Sequence, residues 1–103
     1  MLRFRNLASG SAGNATLVEA SDELTRTLVL IDCGLGWRQL CTALAQCALT
    51  PDDVDAVFIT HEHGDHVGSA PLLVERHRAA LWTSAGTAEA MRAAGHEVEA
   101  QVA

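Results

Sequence analysis

Val57-Phe58-Ile59-Thr60-His61-Glu62-His63-Gly64-Asp65-His66 is the stretch on which the reading of this chain turns. Its apolar start, Ala56 to Thr60, reads as a buried strand. Three of the five histidines follow it at once, and with Asp65 they place four potential ligands within six positions. In an extended segment His61, His63 and Asp65 project to one side, and Gly64 can take a positive φ that swings His66 back toward the same space. Imidazole and carboxylate at this density suit a borderline or hard divalent ion such as zinc or manganese. As plain solvated loop residues the same groups would repel one another when charged, so a bound cation is the better reading.

Outward from this segment the chain alternates strands and helices. Leu2 to Leu7, Ala15 to Ala20 and Thr27 to Ile31 read as three short strands, the third apolar enough to be buried on both faces. From Trp37 onward, Leu40, Cys41, Leu44 and Ala48 follow helical spacing. Thr50-Pro51-Asp52-Asp53 looks like a helical turn with Thr50 as N-cap and proline in first position. After the motif, Val67 to Arg78 reads as a helix in which Pro71 is tolerable only near the first turn. Ala80 to Thr83 reads as a strand, Thr87 to Ala94 as a helix stopped by Gly95, and Glu97 to Val102 as a strand just beginning. His77 is read as a solvated helix-end residue, His96 as a turn residue, Cys33 as a small buried residue, and Trp37 and Trp82 as core or edge packing.

With 103 residues, 49 % hydrophobic and 19 % charged, the chain has a globular composition and room for one modest core. The net charge is -6, and all seven basic residues are arginines scattered from Arg3 to Arg92. That excludes a basic groove for long duplexes, although a phosphodiester held by metal ions remains open, since the ions offset part of the charge. Cys33, Cys41 and Cys47 form no CxxC pair, which disfavours a disulfide scaffold and favours a reducing compartment. The first residues hold no signal-like apolar stretch and no run of 18 apolar residues occurs, so a cytoplasmic chain with no membrane association is expected.

The HxHxDH pattern of His61 to His66, preceded by Val57-Phe58-Ile59-Thr60, resembles the metallo-β-lactamase fold hydrolases. Leu30-Ile31-Asp32-Cys33-Gly34 looks like the LIDxG strand end of that superfamily. Leu7-Ala8-Ser9-Gly10-Ser11-Ala12-Gly13-Asn14 resembles the opening of its branch of WalJ/YycJ-type exonucleases and cyclic phosphodiesterases. The resemblance implies an α/β fold: the N-terminal half of an αββα sandwich, with a mixed sheet and flanking helices, spanning residues 1–103.

It further implies that His61 and His63 hold one metal while Asp65 and His66 hold a second, zinc first and manganese next, with a bridging hydroxide between them. Asp65 would also orient the nucleophile, and Asp32 would brace the ligand loop from below. By residue type alone Asp32 is equally a turn or strand-end cap. Ser9 to Asn14 reads either as a hairpin loop or as a substrate-site loop with Ser9 and Asn14 near the chemistry. The family draws further ligands from later in its domain, another histidine, a bridging aspartate and a last histidine, and nothing after His66 matches them. The expectation is therefore a partial domain truncated at its C-terminal end, or a small chain that completes its site as a homodimer. The implied activity is a phosphodiesterase or nuclease acting on a phosphodiester or nucleic-acid substrate. The alternatives are a thioester or lactone hydrolase of the same fold, and a metal-binding remnant without catalysis.

Overall fold

A computed structural model describes residues 1–9, 13–61, 63–95 and 100–102, with the backbone alone at Gly64 and Asp65. His96 and Glu97 to Glu99 thus lie outside the described residues, as does Gly10 to Ala12 of the first loop. Strand β1 (Leu2–Ala8) pairs antiparallel with β2 (Ala15–Ser21), and β2 pairs antiparallel with β3 (Arg26–Ile31). From there the sheet runs parallel through β4 (Ala56–Ile59), β5 (Ala80–Thr83) and the short β6 (Gln101–Val102). The described strands thus form one mixed sheet in sequence order, β1-β2-β3-β4-β5-β6. Helices α1 (Trp37–Gln46), α3 (Ala70–His77) and α4 (Ala85–Ala93) lie between strands, and a single turn, α2 (Gly64–Val67), follows β4.

Period-two alternation divides the sheet into unlike faces. Leu17, Leu30, Val57 and Leu81 are cross-strand partners in consecutive pairs, and all are buried. Leu40 and Leu44 of α1, Leu73 of α3 and Met91 of α4 join them in one core, so these helices cover this face. The opposite face is different. Val29, Ile31 and Phe58 are only half-buried and Thr27 is exposed, so β3 is not the two-sided buried strand its composition suggests, and neither is β4. Among the described residues nothing packs over that side.

Three further details depart from the sequence reading. The helix expected over Val67 to Arg78 is split: Gly68 and Ser69 separate α2 from α3, which places Pro71 in the first turn of α3, where its missing N–H costs nothing. The helical turn at Pro51 closes after Asp53 as a single 3₁₀ turn; the Asp53 carboxylate accepts from Thr50 N at 2.8 Å. Ala48 has left α1: it is exposed and left-handed at φ +59, and its N–H reaches back to Ala45 O at 3.0 Å. A non-glycine residue there carries about 1–2 kcal/mol of strain. Ala48→Gly is therefore expected to raise the unfolding free energy by about 0.5–1 kcal/mol in urea titration, after glycine's larger unfolded-state entropy is subtracted. Unchanged or reduced stability would mean that the strain is relieved elsewhere.

Candidate functional site

The C-terminal ends of β3 and β4 lie side by side, and the chain turns sharply after each. Asp32 directly follows β3, takes φ +62, and still pairs with β4 through its N–H to Phe58 O at 2.7 Å. Aspartate tolerates this left-handed conformation better than most residues. The turn aims a buried carboxylate along the sheet edge, 6 % exposed. Its Oδ1 accepts from Thr60 N at 2.7 Å, and its Oδ2 accepts from Thr60 Oγ1 at 2.6 Å and faces His66 Nδ1 at 2.8 Å.

These bonds fix proton positions. An ionised carboxylate only accepts, so His66 Nδ1 must donate to it. The Thr60 hydroxyl has a single proton, which goes to Asp32, and so it must accept from His61 Nδ1 at 2.9 Å. His61 and His66 are thereby held with a proton on Nδ1. Their ring centroids lie 4.6 Å apart. Ring nitrogens of metal-binding imidazoles are oriented in this way, by a carboxylate at His66 and by a hydroxyl at His61.

His66 arrives by a route the extended reading did not foresee. His63 O accepts from His66 N at 2.9 Å and Val67 N at 3.0 Å, so the chain winds into α2 at Gly64 instead of swinging back through a positive φ. The left-handed glycine is Gly68, at φ +38. His63 is exposed, its ring 6.5 Å from that of His61. The side chain of Asp65 lies outside the described residues, and among the described residues no three ligand-type side chains converge on one point.

A second set of contacts binds the two turns together. Cys33 N donates to His66 O at 2.7 Å, Ser69 N to Cys33 O at 3.0 Å, and Ser69 Oγ to Leu35 O at 2.6 Å. Cys33 is completely enclosed; burial pushes its thiol up to about 12, the charge of Asp32 adds to the rise, and the Ser69 N–H opposes it. It is a packing residue rather than a nucleophile. Asn14 joins the same end of the sheet, its carbonyl accepting from Gly34 N at 2.8 Å, while Ser9 is exposed just beyond β1. Thr60, Gly68 and Ser69 had no role in the sequence reading. Thr60 was legible in principle, as a hydroxyl at a strand end directly before the motif.

Other candidates lie apart from this cluster. His77 is not simply solvated: its Nδ1 meets Asp52 at 2.5 Å and its ring stacks on Trp37 at 5.3 Å. A cavity of about 460 Å³ is lined by Arg3, Arg5, Glu19 and Arg26, toward the end of the sheet remote from Asp32. Among the described residues, none of the histidines lines it.

Comparison with known proteins agrees with this architecture. Residues 8–103 match the family described as the metallo-beta-lactamase superfamily. Exodeoxyribonuclease WalJ of Streptococcus pneumoniae serotype 2 (strain D39) is 35 % identical over 89 residues, which cover 86 % of this chain and 32 % of the relative. Exodeoxyribonuclease YycJ of Bacillus anthracis is 31 % identical over 90 residues, covering 87 % of this chain and 33 % of the relative. Among solved structures, a B3 metallo-beta-lactamase with an active-site glutamic acid superposes with TM-score 0.66 at 24 % identity, covering 86 % of this chain and 32 % of that one. The chain thus spans about a third of the length of the curated relatives it matches. No helix among the described residues is long and apolar enough to cross a membrane.

Proposed function

This chain belongs to the metallo-beta-lactamase superfamily, and from that premise we propose that it carries the metal-binding part of a phosphodiesterase, with nucleic acid as the substrate class. The observation that carries the reading is the Asp32 carboxylate, which through Thr60 Oγ1 and His66 Nδ1 sets the tautomers of two motif histidines. The nuclease reading also draws on the two exodeoxyribonucleases at 31 % and 35 % identity. The likeness to a B3 metallo-beta-lactamase, at 24 % identity, bears on fold alone and selects no carbonyl substrate.

In this reading His61 and His63 hold one divalent ion and Asp65 and His66 a second, with zinc preferred and manganese as the alternative. Such ions supply Lewis acidity toward phosphoryl oxygens and lower the pKa of water at neutral pH. The chain's own contribution is orientation. Asp32 holds the ring of His66 through its Nδ1 proton and that of His61 through the Thr60 hydroxyl, and Asp65 orients the attacking water. Ser9 and Asn14, at the same end of the sheet, border the substrate. Catalytic zinc normally has three protein ligands, and two per ion are supplied here, so the remaining donors and the general acid for the leaving group come from outside these 103 residues. Turnover by the 103 residues alone is accordingly expected to be low.

The test is hydrolysis of bis-p-nitrophenyl phosphate, a lactone and nitrocefin, each with zinc or manganese, by the chain and by its His63→Ala variant. Metal-dependent cleavage confined to the phosphodiester, and at least tenfold slower in the variant, supports the proposal. Preference for the lactone or nitrocefin would move the reading to carbonyl chemistry. Metal binding with no cleavage of any substrate would reduce it to a binding domain.

A further inference from the structure

We propose that the cavity between β1–β3 and the chain that follows α1 binds a small organic diphosphate, its phosphate groups on arginines and its organic part on the leucines beneath them. Three of the seven arginines of a chain with a net charge of -6 line this one space, Arg3 and Arg5 from β1 and Arg26 from β3. They are distant in sequence, and the antiparallel pairing of β1, β2 and β3 gathers them on one side of the sheet. Among the described residues that line the cavity, Glu19 alone is acidic.

The chain's own carboxylates leave these guanidiniums open. Glu19 is the direct cross-strand partner of Arg3, yet the two form no ion pair. Arg3 Nε turns instead to Met1 Sδ at 3.0 Å, a weak acceptor. Arg5 has no carboxylate partner among the described residues. Arg26 meets Asp53 at 3.4 Å, a long pair between two part-exposed side chains. Such a pair contributes little and yields to a phosphate, whose oxygens match the planar guanidinium fork with two parallel bonds.

Spacing indicates the kind of anion. Arg3 and Arg5 stand on one face of β1 about 7 Å apart, close enough to share a single phosphate. Arg26 lies two strands across, about 10 Å away, where a second phosphate engages it. At about 460 Å³ the cavity has the size of a small-molecule site. Leu17 and Leu49, both buried, give it an apolar floor on which the organic part rests.

Position and charge both favour a soluble ligand over a covering segment of protein. In an αββα sandwich sheet packs on sheet, so the helix-bearing side, to which Arg3, Arg5 and Arg26 alternate, faces outward. An apolar element laid over three guanidiniums would strip their water and replace none of it. The proposal does not rest on the chemistry assigned to the histidines.

Isothermal titration calorimetry of the metal-free chain with ADP, AMP, sulfate and a single-stranded oligonucleotide, at fixed ionic strength, tests it alongside Arg5→Gln and Arg26→Gln. Amide ¹H–¹⁵N spectra locate the binding and check that each variant keeps its fold. The expected result is saturable binding of one ADP per chain, at least tenfold weaker for AMP and in each variant, with the largest amide shifts at Arg3, Arg5 and Leu17. Absence of saturable ADP binding would overturn the proposal, as would sulfate that binds as tightly as ADP, indifference to both substitutions, or shifts centred on His61 and His66. An oligonucleotide that binds more tightly than ADP would overturn it in favour of a contact with a nucleic-acid backbone.

Discussion

Gly68→Ala is expected to cost about 3–5 kcal/mol of folding stability, measured by urea unfolding, enough to leave a domain of this size largely unfolded at physiological temperature. A Cβ at this position would lie 2.3 Å from Cys33 O, 2.6 Å from the Gly34 carbonyl carbon and 2.7 Å from Gly34 Cα. All three are backbone atoms with no rotamer through which to withdraw. The φ of +38 adds left-handed strain that only glycine escapes. The clash falls between the two turns, where Cys33 N meets His66 O and Ser69 N meets Cys33 O. Gly86→Ala is the contrast. Its added methyl would have no heavy atom within 4 Å, and it lies in α4, so a gain of about 0.5–1 kcal/mol is expected. A Gly68→Ala loss below about 1 kcal/mol would mean that the turns are not so closely joined.

Asp32→Ala is the second large effect. It strips the acceptors from Thr60 N, Thr60 Oγ1 and His66 Nδ1 together, and it puts alanine at φ +62. Each part-buried donor left unpaired costs about 1 kcal/mol or more, so the loss is expected near 3 kcal/mol. Zinc affinity should fall 10- to 100-fold, because the ring of His66 loses its anchor and His61 loses the relay through Thr60. Asp32→Asn keeps the size and tolerates the backbone conformation, yet turns one amide N–H₂ toward a donor; an intermediate loss is expected in both measurements. Equilibrium unfolding and competitive zinc titration read the two effects separately. Unchanged zinc affinity in a folded Asp32→Ala protein would remove the carboxylate from the site.

The strands and α1 were legible because their apolar residues recur with a clear period, and Gly95, at φ +93, stops the last helix as its position suggests. Burial on two faces was not legible. Val57 to Ile59 reads the same whether one side is covered or both, and the covering partner is a tertiary matter. The end of α1 was misplaced because helical spacing carries on to Ala48, and no glycine or proline announces the left-handed turn there. At the candidate site residue types were legible but routes were not. Gly64 and Gly68 are equally able to take positive φ, and it is Gly68 that takes it, where its backbone lies against Cys33 and Gly34. Thr60 gained its place from a contact with Asp32, 28 positions away, that spacing cannot reveal.

The most direct test of the central claim, that Asp32 prepares His61 and His66 as metal donors, is long-range ¹H–¹⁵N NMR of the histidine side chains before and after zinc. Both rings are expected to be protonated at Nδ1 in the metal-free protein, with the resonances of their Nε2 atoms moving on addition of zinc. Nε2-protonated tautomers, or Nε2 resonances that zinc leaves in place, would contradict it.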